Sequence, residues 1–322
     1  MNKFLQSKSL YMLFILPFIV AAITLLSKWV PGHQIASVPV HGCIDIAFIH
    51  SLNETWQSVI GGVVMLGVAY MIFLISNIFK LLYQRTTLPS LLYILLTSGI
   101  MVSIGFNYLL IAVFIIGLAV ACLQSAIYNT KNNASLFDFG ALMMLAVAIY
   151  PKFVLLLIWA LCAVLFSGRS TVKDVMALLV GFCAPVIFVV FYYYWTDSLA
   201  MLPGRFMTSL TIGNYIHHLP MVEIIRLCLL FMLLMVALLH FFLKYSAMMV
   251  YQRRGMTSLV SMLLFLIVTL VAVPGNYYDF MYMLAFPLVF IYSHYFIVQR
   301  VKMVNDLMFI LLLCACFLSY FI

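Results

Sequence analysis

Apolar stretches of membrane-crossing length recur along almost the whole of this chain. Between Thr55 and Phe79, and again between Thr86 and Thr130, there is no Asp, Glu, Lys or Arg. A helix needs roughly 20 apolar residues to cross the hydrocarbon core of a bilayer. The hydropathy pattern predicts spans near residues 10–27, 58–82, 90–106, 108–128, 136–150, 153–168, 174–195, 222–244, 257–274, 278–297 and 303–321. The fold class expected is therefore all-α, a polytopic helical bundle of about 11 spans (10–12) forming one membrane domain over residues 1–322. Two junctions leave the count open. Only Gly105-Phe106-Asn107 separates the third and fourth spans, and only Tyr150-Pro151-Lys152 the fifth and sixth. Each pair reads as one kinked helix or as a re-entrant hairpin.

Composition excludes the main alternatives. Of 322 residues, 67% are hydrophobic and 7% charged, with a mean hydropathy of +1.22. A soluble domain is nearer half apolar and a quarter charged. A soluble enzyme, a nucleic-acid-binding domain, a disordered chain and a disulfide-rich secreted module do not fit these figures.

The few charges carry orientation. With the N-terminus inside, the inner side collects Lys3, Lys8, Lys80, Arg85, Lys131, Arg169, Lys173, Lys244, Arg253, Arg254, Arg300 and Lys302. The outer side receives Lys28, Lys152, Arg205 and Arg226. Twelve of the sixteen basic residues thus fall on one side, the bias of cytoplasmic loops. The expectation is a cytoplasmic N-terminus in a bacterial inner membrane. The net charge of +8 is then an orientation signal, with no nucleic acid implied. Tyr192, Tyr193, Tyr194 and Trp195, with Tyr277, Tyr278 and Tyr282, read as an outer aromatic belt, with a stacking surface in a substrate groove as the alternative.

Candidate chemistry lies in the outer segments. The first, Lys28 to Gln57, holds His33, His41, Cys43, Asp45, His50 and Glu54. Ile44, Phe48, Leu52 and Trp56 follow helical spacing and suggest an amphipathic interfacial helix. Asp45 and Glu54 are the candidate catalytic carboxylates, suited to a general base or to contact with a divalent cation. The His41–Cys43–Asp45 spacing matches no standard zinc pattern, and no metal site is assigned.

The second outer segment, Thr196 to Met221, carries Arg205 and His217-His218. An arginine fork suits a phosphate, so Arg205, with His217 and His218 beside it, is a candidate substrate contact. Asp279 follows the helix-breaking Pro274-Gly275. It is expected near a helix N-terminus, where a carboxylate is favoured, and is the remaining substrate-binding candidate. Glu223 and Arg226, three apart, are expected to pair locally.

Within the spans, ionisable groups are nearly absent. His240 and His294 are expected at inner helix ends, interfacial or hydrogen-bonded. There is neither a proton-pump series nor a voltage-sensor repeat.

Several short patterns carry a family likeness. They are Arg85-Thr86-Thr87-Leu88-Pro89, Phe137-Asp138-Phe139-Gly140, Tyr150-Pro151, Phe166-Ser167-Gly168-Arg169, Lys173-Asp174 and Gly181-Phe182-Cys183-Ala184-Pro185. The chain resembles a family of uncharacterised multi-pass membrane proteins of Bacteroidota, known as a domain of unknown function. That likeness implies no activity. In architecture alone the chain also looks like the membrane module of the C-type glycosyltransferases, which take sugars from polyprenyl-phosphate donors. The likeness implies Asp45 as base and Arg205 as donor-phosphate contact, although the adjacent acidic pair often found in that loop is missing. Three readings stay open. The first is a transferase using a lipid-linked sugar, with or without a divalent cation. The second is a transporter or lipid flippase, and the third a non-enzymatic subunit partnering other envelope proteins. Whether the chain is an enzyme at all is left open by the sequence.

Overall fold

A computed structural model describes residues 11–29, 42–44, 53–104, 108–129, 133–169, 171–211, 221–274, 277–299 and 301–318. Among these residues there are twelve α-helices and no strand. In chain order they are α1 (Tyr11–Trp29), α2 (Glu54–Ile78), α3 (Leu88–Ile104), α4 (Tyr108–Tyr128), α5 (Ala134–Ile149) and α6 (Val154–Phe166). There follow α7 (Val172–Trp195), α8 (Met201–Thr211), α9 (Met221–Lys244), α10 (Val250–Ala272), α11 (Tyr277–Val298) and α12 (Lys302–Leu318). Short 3-10 turns occupy Pro151–Phe153 and Tyr245–Ala247.

Among the described residues six helices, α2, α4, α7, α9, α10 and α11, are long and apolar enough to cross a membrane. Shorter apolar helical stretches lie in α1, α3, α5 and α6. Burial separates centre from periphery. In α11, 83% of the apolar window is buried; in α7, only 11%. Helix α11 packs against α3, α4, α9 and α10, whereas α7 leans mainly on α5. A helix apolar all round but buried on one strip presents the rest to lipid.

The α5–α7 crossing explains two of the family patterns. A Cβ on Gly140 would stand 2.5 Å from the Leu178 carbonyl oxygen, and one on Gly181 would meet the carbonyl oxygen of Phe137. Only glycine lets the two backbones approach this closely, the small-residue packing favoured between membrane helices. Asp174, Leu178 and Gly181, on one strip of α7, are buried there.

Helices α5 and α6 form a hairpin. At its open end Arg169 donates to the Asn133 side chain and pairs with Asp174 at 3.2 Å. The fork at 150–153 thus resolves to a hairpin with its tip at Pro151–Phe153. At 1.5 Å per residue its arms, 16 and 13 residues, are about 24 and 20 Å long. Both fall short of the roughly 30 Å hydrocarbon core. The tip is accordingly enclosed, and Pro151, Lys152 and Phe153 are all buried.

Polar contacts tie the bundle at both ends. At the basic end the Asn77 amide binds the Thr86 backbone, and Gln252 donates to the Lys80 carbonyl at 2.8 Å. Lys80, Arg85, Arg169, Lys173, Lys244, Arg253, Arg254 and Lys302 border the helix ends on this side. Lys152, Arg205 and Arg226 border the opposite ends, so the fold segregates these basic residues as the charge pattern does.

Two local expectations change and a third holds. His294 is 1% exposed, and neither ring nitrogen has a hydrogen-bond partner among the described residues. It packs instead against the rings of Tyr83 and Phe241. The belt reading suits Tyr192, Tyr194 and Trp195, all exposed, but Tyr193 and Tyr282 are buried. Glu223 and Arg226 do pair, at 3.2 Å, yet both are buried inside the bundle rather than solvated.

Candidate functional site

The end opposite the basic residues gathers polar groups from five separate segments. Gly42–Ile44 lies across the C-terminus of α5. The Ile44 N–H donates to the Ala148 carbonyl at 3.2 Å, satisfying one of the acceptors that a helix end leaves open. The segment passes so close that a Cβ on Gly42 would meet the Ile149 carbonyl, so glycine is required there. The Cys43 carbonyl accepts from the Tyr193 phenol at 2.8 Å. Tyr193 in turn accepts from Arg205 Nη1 at 3.3 Å, and the guanidinium lies over its ring at 5.8 Å.

The hairpin tip contributes the second half. Tyr150 donates to Asp279 Oδ2 at 3.0 Å. Lys152, 1% exposed, lies close enough for the Asp279 carboxylate to favour its charged form. The start of α11 supplies Asp279, and α8 packs on the tip.

Burial sets the electrostatics. It pushes the Lys152 ammonium below its ordinary range, with Asp279 partly opposing the shift. The Cys43 thiol is raised by burial and drawn back by the Arg205 charge. Such groups are costly to bury and mark functional sites in membrane proteins.

An apolar groove of about 690 Å³ runs from this cluster along the α5–α7 face. Cys43, Ile44 and Tyr193 close its polar end; Leu142, Pro185 and Phe188 line its length. Phe188 and Tyr192 are exposed, so the groove opens on the outer face of α7.

The candidates divide clearly. Arg205 and Asp279 both belong to this end, Arg205 on α8 and Asp279 in the first turn of α11. Arg205 was expected in a loop; Pro203-Gly204 instead lies in the first turn of a helix, where proline is tolerated. Asp279 is no exposed cap, being 3% exposed and bonded to a tyrosine from another helix. Asp45, His217 and His218 lie outside the described residues, as does most of the amphipathic stretch expected over 44–56. Glu54 opens α2, and its side chain is likewise outside the description.

Cys43, Tyr150, Lys152 and Tyr193 were not selected from the sequence. Lys152 carried a usable signal, as one of the four basic residues on the sparse side. Tyr193 belongs to the aromatic run whose alternative reading is a groove surface, but nothing local sets it apart from its outward-facing neighbours.

Among the described residues no three His, Cys, Asp or Glu side chains gather closely enough to hold a metal ion. Asp279 already accepts from Tyr150 beside an ammonium, a setting unsuited to a divalent cation.

Comparison with known proteins gives one match. The profile of a family of unknown function, DUF6427, matches residues 22–322. No curated protein and no solved structure matches the chain. The match runs from within α1 to the last residue and takes in the Gly140–Gly181 crossing, the hairpin tip and Asp279. This chain therefore belongs to DUF6427, a family of unknown function.

Proposed function

We propose that the chain binds a polyprenyl-phosphate-linked substrate, with the lipid tail in the α5–α7 groove and the phosphate at Arg205. One observation carries the reading: an apolar groove of about 690 Å³ closes at Tyr193, whose phenol accepts from the Arg205 guanidinium stacked over its ring. An arginine fork positioned by stacking and a hydrogen bond loses little entropy on meeting a phosphate. Lys152 adds positive potential behind the hairpin tip.

A transfer step follows if Asp45 serves as base. Asp45 is two residues beyond Cys43, whose carbonyl is anchored by Tyr193 at the groove's polar end. The carboxylate would take the proton of an acceptor hydroxyl as that oxygen attacks the sugar, with the lipid phosphate leaving. The basic end faces the cytoplasm under the positive-inside rule, which puts this site on the outer face of the inner membrane. Among the described residues the groove is lined by apolar side chains with Cys43, Tyr192 and Tyr193, a lining that suits a lipid tail.

The test is direct binding of polyprenyl phosphate to the chain in nanodiscs. Arg205→Ala should weaken binding at least about tenfold, the loss expected of a charge-assisted contact. Filling the groove with Leu142→Trp should do the same without touching a charge. Unchanged affinity in both variants would sink the proposal. Turnover of a lipid-linked sugar lost in Asp45→Asn, with binding retained, supports a transferase. Turnover retained in Asp45→Asn overturns Asp45 as the base, and co-purification of a stoichiometric envelope partner with no turnover argues against a transferase.

A further inference from the structure

A second cavity lies at the opposite, basic end. It occupies about 350 Å³ where α2 turns into α3, lined by Phe73, Leu74 and Ile78 on one side and by Lys80, Arg85 and Thr87 on the other. The two halves differ in kind. Leu74 and Ile78 are exposed on α2, Ile78 as its last residue and Leu74 one turn before it. Lys80 and Arg85 are the cations of the connecting turn, and among the described residues no carboxylate pairs with either.

The backbone that presents these cations is unusual. Lys80 has φ +46°, the left-handed conformation that a helix C-terminus normally gives to glycine. The Leu81 N–H returns to the Ser76 carbonyl and the Phe79 N–H to Ile75, closing the turn. Gln252 of α10 then clamps it by donating to the Lys80 carbonyl, while its own carbonyl accepts from the Met249 N–H. Asn77 holds the far side by bonding both the N–H and the carbonyl of Thr86. A side chain kept at a strained position by contacts from another helix points to a use for that side chain.

We infer that this cavity is a binding site for the phosphate headgroup of an anionic phospholipid, with one acyl chain lying along Leu74 and Ile78. Two cations with no carboxylate partner among the described residues, set over an apolar wall at the basic end of the bundle, match the headgroup and the tail of such a lipid together. The site is separate from the groove at Arg205 and does not rest on its substrate.

Native mass spectrometry of the full chain released from non-ionic detergent tests this. Phosphatidylglycerol should be retained in preference to phosphatidylcholine with the same acyl chains. Lys80→Gln with Arg85→Gln should reduce the retained fraction at least about tenfold, and Lys80→Gly alone about fivefold, at roughly 1 kcal/mol per cation. Glycine suits the left-handed turn, so Lys80→Gly should melt no lower than the parent chain and separates lost binding from lost folding. Equal retention of phosphatidylcholine, or undiminished phosphatidylglycerol in the double variant, overturns the site. Displacement of the lipid by inorganic phosphate at equal concentration overturns the lipid as its occupant.

Discussion

The Tyr150 phenol donates a 3.0 Å hydrogen bond to Asp279, joining the tip of the α5–α6 hairpin to the first turn of α11, the most buried of the six membrane-length helices. Both residues are buried, so the bond holds a carboxylate that water does not reach. A hydrogen bond to a charged group contributes about 1.5–3 kcal/mol. Tyr150→Phe should lower stability by about that amount, read from thermal melting in detergent. In an Asp279→Asn background the same change should cost less, because the charged acceptor is gone. Additive losses would mean that the two side chains do not interact.

Lys152 should titrate below an exposed lysine. Burial disfavours its charged form and Asp279 partly restores it, so Asp279→Asn should drive the midpoint lower still. Methylated-lysine NMR over alkaline pH would read this, and an upward shift in the variant would contradict it. The linkage has a fixed sign. A cation whose folded pKa lies below the unfolded value of about 10.4 contributes fully above that value, and loses its share as pH falls through the folded pKa. Stability from this group should therefore decline towards neutral pH.

Gly140 and Gly181 should tolerate no side chain. Either residue changed to leucine puts a Cβ into the carbonyl of the facing helix, an overpacking worth about 1–3 kcal/mol or more. Gly204 on α8 is the control. A Cβ there meets nothing within 4 Å, and Gly204→Ala should be neutral or stabilise by up to about 1 kcal/mol. Melting temperatures of the three variants decide the point, and equal behaviour would sink the close-crossing account.

Cys43 is the one cysteine outside the expected spans, and its burial governs its reaction with a thiol reagent. With the other six cysteines replaced, Cys43 should react slowly with a maleimide, at a midpoint above that of a free thiol. Removing Arg205 takes away the charge that favours the thiolate. Arg205→Ala should therefore raise the midpoint further, and a fall would show that the guanidinium does not act on the thiol.

The membrane character and the segregation of basic residues were legible in the sequence because each depends on side-chain type alone. A run without charge prefers lipid whatever its neighbours are, and lysines collect at one set of helix ends without reference to packing. The local ion pair of Glu223 and Arg226 was legible for a similar reason, since three residues make one helical turn. Arg205 and Asp279 stood out because cations and carboxylates are rare on their side. The Tyr150–Asp279 bond spans 129 residues, and no local pattern announces it.

What the tertiary structure decided is which polar groups lose their water. It separated Tyr193 from three exposed aromatic neighbours, folded Tyr150-Pro151-Lys152 into an enclosed hairpin tip, and set Arg205 on the Tyr193 that closes an apolar groove. Those outcomes depend on helices meeting at Gly140 and Gly181 and on Gly42–Ile44 crossing the end of α5. Hydropathy is a property of each residue and survives in the sequence. Burial is a property of pairs of distant segments and exists only once they pack.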